Sequence, residues 1–251
     1  MDDMSIESYL AEGGILTNPA NVTPRYRAEL LKMMATFVDS ELAGAAGFAD
    51  VINAGPGIKE RIAAAKIVLE KTNNAHKVLK VMGEFGVDQG RYATHHPWAA
   101  RLPRDADIGA SWNEHDMRLA VFNYPLNDWG DAVVMNLLMG EAVRVQLGDF
   151  KKVSYQPLAQ IFREVDPIET RHAELAEEGL VRLIKEGGAQ GLQESVNYWW
   201  PRVSASFGGN KVDRFEVLSA MGLRNTPNVE LLASWEKQAA SILHRNGLEA
   251  A

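Results

Sequence analysis

Glu169 and His172 form a Glu-x-x-His pair, Glu169-Thr170-Arg171-His172. Residues three apart share a helix face, so the pair can offer a carboxylate and an imidazole to a single ion. The same face continues through Phe162, Val165, Ala176 and Leu180 and sets both polar groups inside an apolar stripe. A carboxylate buried there is costly unless a cation or hydrogen bonds compensate it. The segment Asp166-Pro167-Ile168-Glu169 also fits a helix start, with Asp as N-cap, Pro first and Glu closing a capping box. Glu41 repeats the anomaly on the seam Leu30, Met34, Phe37, Glu41, Ala45, Phe48, although Gly44 and Gly47 could end that helix early and let Glu41 reach solvent. Lys71 stands at the centre of a third seam, Ala64, Val68, Lys71, Ala75, Val78, Met82. A lysine so placed either pairs with inward carboxylates, of which Glu41 and Glu169 are available, or snorkels to water along a tilted helix.

Other polar groups carry less. His95, His96 and His115 fall in a stretch without regular period and read as ordinary loop residues. Gly208-Gly209-Asn210-Lys211 lacks the strand, loop and helix that a phosphate-binding loop requires, and reads as a turn. The chain has no cysteine, which excludes disulfides, thiolate zinc sites, iron–sulfur clusters and cysteine nucleophiles. Any metal must therefore be held by histidine and carboxylate. The net charge of −7, with no basic run longer than Lys151-Lys152, argues against nucleic acid and against a basic membrane-binding face. The N-terminus, Met1-Asp2-Asp3-Met4, is acidic, and no apolar run approaches the roughly 18 residues of a spanning helix. A cytoplasmic location is expected.

The elements that must position these residues are helices. Long stretches repeat with helical period between Gly/Pro punctuation, and alternation of period two is absent, so the expected class is all-α. Pro24 opens a helix that stops before Gly55-Pro56-Gly57, and a second runs from Ile58 to Gly86. Residues 87–122 read as a long loop insertion with short helical turns. A third helix starts after Asn127-Asp128 and reaches Gly148, and Ala132 to Met139 make it apolar nearly all round, the pattern of a buried helix. A fourth spans Tyr155 to Lys185, with Pro167 expected to kink or restart it before Gly187-Gly188 ends it. Another helix leads into Trp199-Trp200-Pro201. A last one follows Thr226-Pro227, with Thr as cap and Pro as first helical residue. With 251 residues, 46% of them hydrophobic, one domain over 1–251 is expected.

The run from Gly140 through Ser154-Tyr155 and Pro157 to Glu169-Thr170-Arg171-His172, with Phe122-Asn123-Tyr124-Pro125, Trp129 and Asp131 upstream, resembles the phenylacetic acid catabolic family and its ring-epoxidising oxygenase subunits. Trp199-Trp200-Pro201, Phe207-Gly208 and Asn228-Val229-Glu230-Leu231 extend the likeness. The resemblance implies a ferritin-like four-helix bundle with additional C-terminal helices. It also implies two irons held by Glu, Glu-x-x-His, an acidic residue and Glu-x-x-His from successive helices. Such a centre activates dioxygen to epoxidise an aryl-CoA ring, with electrons from a separate reductase. Glu41 matches the first ligand, and Glu169 and His172 the last pair. Lys71 and Asn74 stand where the family has Glu and His, and Gly140 where it has Asp. His76, with Asn73 one turn before it, and Glu141 could substitute only after a local bulge or a rotation of about 100°.

Two functions follow from the resemblance. In one, Lys71 takes the place of the metal, no iron is bound, and the chain is a structural or interaction subunit of an aromatic-CoA ring-oxygenase system. Its partner would be a homologous oxygenase subunit or a second copy of itself. In the other, the chain is a di-iron-type monooxygenase or epoxidase that acts on an aryl-CoA or related aromatic substrate, with an acyl-CoA among its expected partners. It would use Glu41, Glu169 and His172, with His76 and Glu141, and depend on a reductase.

Overall fold

A computed structural model describes residues 5–107, 116–187, 189–209 and 212–251. Four long helices make the core: α2 (Pro24–Val51), α3 (Ile58–Glu84), α5 (Trp129–Phe150) and α6 (Gln156–Gly187). Short helices α1 (Ile6–Ala11) and α4 (Gln89–His95) precede and follow the first pair, and α7 (Gln190–Ser204), α8 (Val212–Ala220) and α9 (Asn228–Arg245) complete the chain. Among the described residues the only β pairing is an isolated bridge between Leu16 and Tyr155. The fold is an all-α, ferritin-like bundle.

Local chemistry sets the helix ends. Thr23 caps α2 by accepting the Tyr26 N–H at 3.3 Å, and Pro24 occupies the first helical position, where its missing N–H costs nothing. α2 runs on through Gly44 and Gly47 to Val51, so Glu41 lies in mid-helix and not at an exposed end. Gly55-Pro56-Gly57 breaks the chain before α3, and Gly86, at φ +88°, turns it after α3.

Two expected boundaries differ. α6 is continuous through Pro167, so Asp166-Pro167-Ile168-Glu169 is not a helix start; Asp166 instead pairs with Lys151 at 2.7 Å. Pro167 sits on the exposed face, where a carbonyl released from the ladder can turn to water. α9 begins at Asn228, with Pro227 in the cap position and no side-chain cap from Thr226.

Packing explains the apolar girth of α5. It lies against α6 on one side and against α7 and α9 on others, and Val134, Leu137 and Leu138 are buried. Trp235 of α9 donates its indole N–H to the Leu138 carbonyl at 2.9 Å, and Trp199 of α7 donates to Asp131 at 2.8 Å. α2 pairs with α3, and α3 with α6, around a second cluster that includes Met34, Val78 and Phe162. The α2 and α5 backbones approach each other at few points and meet through side chains such as Phe48 and Ala132.

Gly140 marks a close approach of α5 and α6. A Cβ there would lie 3.1 Å from the Ala173 Cβ and 3.3 Å from its Cα, whereas one at Gly148 would meet nothing within 4 Å. Gly140→Ala should therefore lower unfolding stability by about 1–3 kcal/mol through overpacking. Gly148→Ala should raise it by roughly 0.5–1 kcal/mol through helix propensity. Urea denaturation of the two variants checks the opposite signs.

Candidate functional site

The bundle centre joins α2, α3 and α6 through charge. Lys71 Nζ lies 2.9 Å from Glu41 Oε1 and 2.8 Å from Glu169 Oε2. The Asn74 amide, one turn on, donates to Glu41 Oε2 at 3.3 Å and to Glu169 Oε1 at 3.0 Å. All four side chains are buried, and Lys71 keeps only 8% of its side chain exposed, so it does not snorkel. Gly44 lies beside it: a Cβ there would make ordinary contact with Lys71 Cδ at 3.5 Å and a tight one with the Phe122 ring at 3.3 Å.

His172 completes the cluster from α6. Its Nδ1 is 3.3 Å from Glu169 Oε1 but makes no hydrogen bond, and its Nε2 lies 2.8 Å from Glu70 Oε2. Asn136 of α5 donates to the His172 carbonyl at 3.3 Å. Glu70 was not among the residues singled out by sequence. It sits about 100° round the helix from the apolar seam, and its spacing to Lys66, 3.7 Å away, resembles an ordinary solvated i,i+4 pair.

The alternative ligands stand elsewhere. His76 and Asn73 are on the exposed face of α3, which has no bulge to bring them inward. Glu141 is buried, but Arg144 on the same helix holds its carboxylate at 2.8 and 3.1 Å. Gly140 places backbone, not a ligand, against α6.

The central loop holds a correction. His95 is exposed, but the His96 side chain is only 3% exposed, with Nε2 3.2 Å from Asp39 Oδ2 and 3.1 Å from Asp116 Oδ1. Its ring stacks between Tyr92 and Trp98. Tyr92 and the Met117 N–H also donate to Asp39, while Arg118 bonds Asp116 and the carbonyls of Pro97, Trp98 and Ala100. A stretch that reads as loose loop is thus pinned to α2 by Asp39, whose partners lie 53 or more residues away and leave no periodic trace. His115, Gly188, Asn210 and Lys211 lie outside the described residues.

A family model described as phenylacetic acid catabolic protein matches residues 15–251. The chain belongs to that family. No curated protein matches it. Membership associates the chain with phenylacetic acid catabolism, and no helix among the described residues is long and apolar enough to cross a membrane.

The residues present do not fit the pair of irons that a ferritin-like oxygenase centre requires. An ammonium fills the space between the carboxylates of Glu41 and Glu169, Asn74 directs N–H groups rather than a lone pair toward them, and position 140 has no side chain. What the arrangement can do is hold two buried carboxylates on one ammonium and one amide and so tie three helices together.

The electrostatics show how the charges share the site. Burial raises the Glu41 carboxyl and neighbouring Glu169 adds to the rise, while Lys71 opposes it; the net result is a shift from the ordinary 4.5 to about 7. Burial would also raise Glu169, but Lys71 and His172 outweigh it and hold Glu169 well below the usual range. Burial would depress Lys71, yet Glu169 and Glu41 together lift it above the usual lysine range. The pair of carboxylates titrates as one unit with the ammonium.

Because Glu41 is raised, the folded chain between pH 4.5 and about 7 retains a proton that the unfolded chain releases, so this group contributes less stability as pH rises through that window. Glu41→Gln should remove that slope, on the order of 2 kcal/mol between pH 5 and 7.5. Chemical denaturation of both proteins across the range checks it; parallel curves contradict it.

Proposed function

We propose that this chain is a metal-free, ferritin-like subunit of an aerobic phenylacetate-catabolic oxygenase system, with a structural or interaction role beside a metal-bearing subunit. One observation carries the reading: the Lys71 ammonium lies within hydrogen-bond distance of both Glu41 and Glu169, in the space an ion would need. A positive charge already bonded to these carboxylates opposes a divalent ion electrostatically and sterically. Asn74 uses the remaining carboxylate oxygens. The lysine performs the mechanical part of a metal's work by linking α2, α3 and α6. It cannot bind or reduce dioxygen.

No reaction step is assigned to Glu41, Glu169 or His172 in this role. Their carboxylates are partners of an ammonium, and His172 is oriented by Glu70. The oxygen chemistry, the reductase contact and the aryl-CoA substrate belong to the partner in this reading. A ligand-complete member of the same family is the expected partner.

Two measurements test the proposal. Incubation of the purified chain with ferrous iron under anaerobic conditions, followed by desalting and metal analysis, should leave essentially no iron. Retention of about two equivalents per chain would overturn the reading. Lys71→Met should leave two buried carboxylates without their cation and lower stability by about 3–5 kcal/mol. The loss should be smaller at pH 5.5 than at pH 8, because protonation then relieves the repulsion. An unchanged denaturation midpoint at pH 8 contradicts the role given to the ammonium.

A further inference from the structure

The outer face of α3 carries a second seam. Ile58, Ile62, Ala65, Leu69, Thr72 and His76 follow one another at spacings of four, three, four, three and four, the same rhythm as the inward seam that holds Lys71. All six are exposed, and the large apolar members strongly so: Ile58 is 78% exposed, Ile62 62% and Leu69 61%. Thr72 donates its hydroxyl to the Val68 carbonyl at 2.8 Å, so its donor is satisfied within α3. α3 packs on α2, α6 and α4 through its other sides. Single exposed apolar residues need no explanation, but a row with an average period of 3.5 residues matches the contact line of a packed helix. The row extends roughly 27 Å along the axis, about five turns of a partner.

The edges of the seam decide what can lie on it. Lys59, Lys66 and Lys80 share one edge at spacings of seven and fourteen residues, and all three are exposed. Arg61 stands on the other edge, where it donates to the carbonyls of Gly55 and Asn53. The two acidic residues of α3 between 58 and 80 offer little counterweight. Glu60 is held by Arg182, and Glu70 divides its carboxylate between Lys66 at 3.7 Å and the buried His172 at 2.8 Å. Both edges are thus basic on a chain whose net charge is −7.

A second copy of the chain is a poor occupant for this reason. Two such faces laid antiparallel would set lysine edge against lysine edge, and laid parallel would set lysine against Arg61. Like charges at these positions oppose pairing, whereas a helix with acidic edges gains at each one. We infer that the outer face of α3 docks an amphipathic helix of a different polypeptide, one with an apolar heptad seam and aspartate or glutamate at its edges. The inference deepens the subunit role proposed above and rests on it for the existence of a partner. α3 presents the face rigidly, because Lys71 ties its inner side to Glu41 and Glu169.

Fluorescence anisotropy of the whole chain with two labelled four-heptad peptides tests the assignment. Both peptides have leucine at the seam positions; one has glutamate at its edges and the other lysine. The glutamate peptide should bind at one site per chain and at least about tenfold more tightly than the lysine peptide, as several edge pairs of opposite sign require. Its affinity should fall as salt is raised. Leu69→Glu should abolish binding, and the combined change Lys59→Glu, Lys66→Glu and Lys80→Glu should reverse the preference between the peptides. No saturable binding, equal affinity for the two peptides, or unchanged binding to a folded Leu69→Glu protein would each overturn the inference. A dimer of the unmodified chain that sedimentation detects and Leu69→Glu dissolves would give the face to a second copy and overturn it as well. The peptide comparison needs no variant, so it decides the question even if a substituted chain does not fold. Iron retention would sink the metal-free reading yet leave the peptide preference untouched, so the two failures are distinguishable.

Discussion

A buried ammonium shared by two carboxylates on different helices is the constraint around which this bundle is arranged. Each charge alone would be intolerable in the interior, and removal of the ammonium leaves two carboxylates uncompensated. The requirement extends to the neighbouring turn of α3. Asn74 supplies two N–H groups to the oxygens that the ammonium does not reach. The interaction is not strong evidence of high stability, since apolar residues of similar volume often serve as well. Its value is specificity: only one register of α2, α3 and α6 brings Glu41, Lys71 and Glu169 together.

The contrast between the two sides of α2 follows from the same arrangement. Toward α3 the helix is held by close packing and toward α6 by the charge cluster, while toward α5 its backbone approaches are few and an apolar cavity lies beside them. α7 and α9 do not fill that gap, because they pack on other faces of α5 and anchor through Trp199 and Trp235, and α8 only borders it. The molecule thus combines a rigid polar centre with an adjacent apolar space, and the two share Glu41 as a common wall.

Much of this could be read from sequence, for a physical reason. Helical period exposes any polar residue on an apolar seam, and Glu41, Lys71, Glu169 and His172 all stood out in that way. The helix framework was legible on the same basis, as was the burial of α5. What was not legible depended on tertiary partners. Glu70 lies off the seam and gains its role only because His172 reaches it. His96 is in a non-periodic stretch, and its burial comes from Asp39, Asp116 and two aromatic rings. Pro167 carried a local signal for a helix start that the continuous α6 overrides, because a proline on the solvent face costs less than losing the packing on both sides of it.

The contact between Gly140 and Ala173 has a further consequence. A side chain at position 140 would bring its Cβ to 3.1 Å from the Ala173 Cβ, so α6 would have to give by a few tenths of an ångström before an acidic residue could stand there. Exchange of Lys71 and Asn74 alone would leave that spacing unchanged. Interhelical spacing acts as a ratchet: it leaves the lysine-centred arrangement open to small repairs and sets a mechanical step on the route to a metal centre.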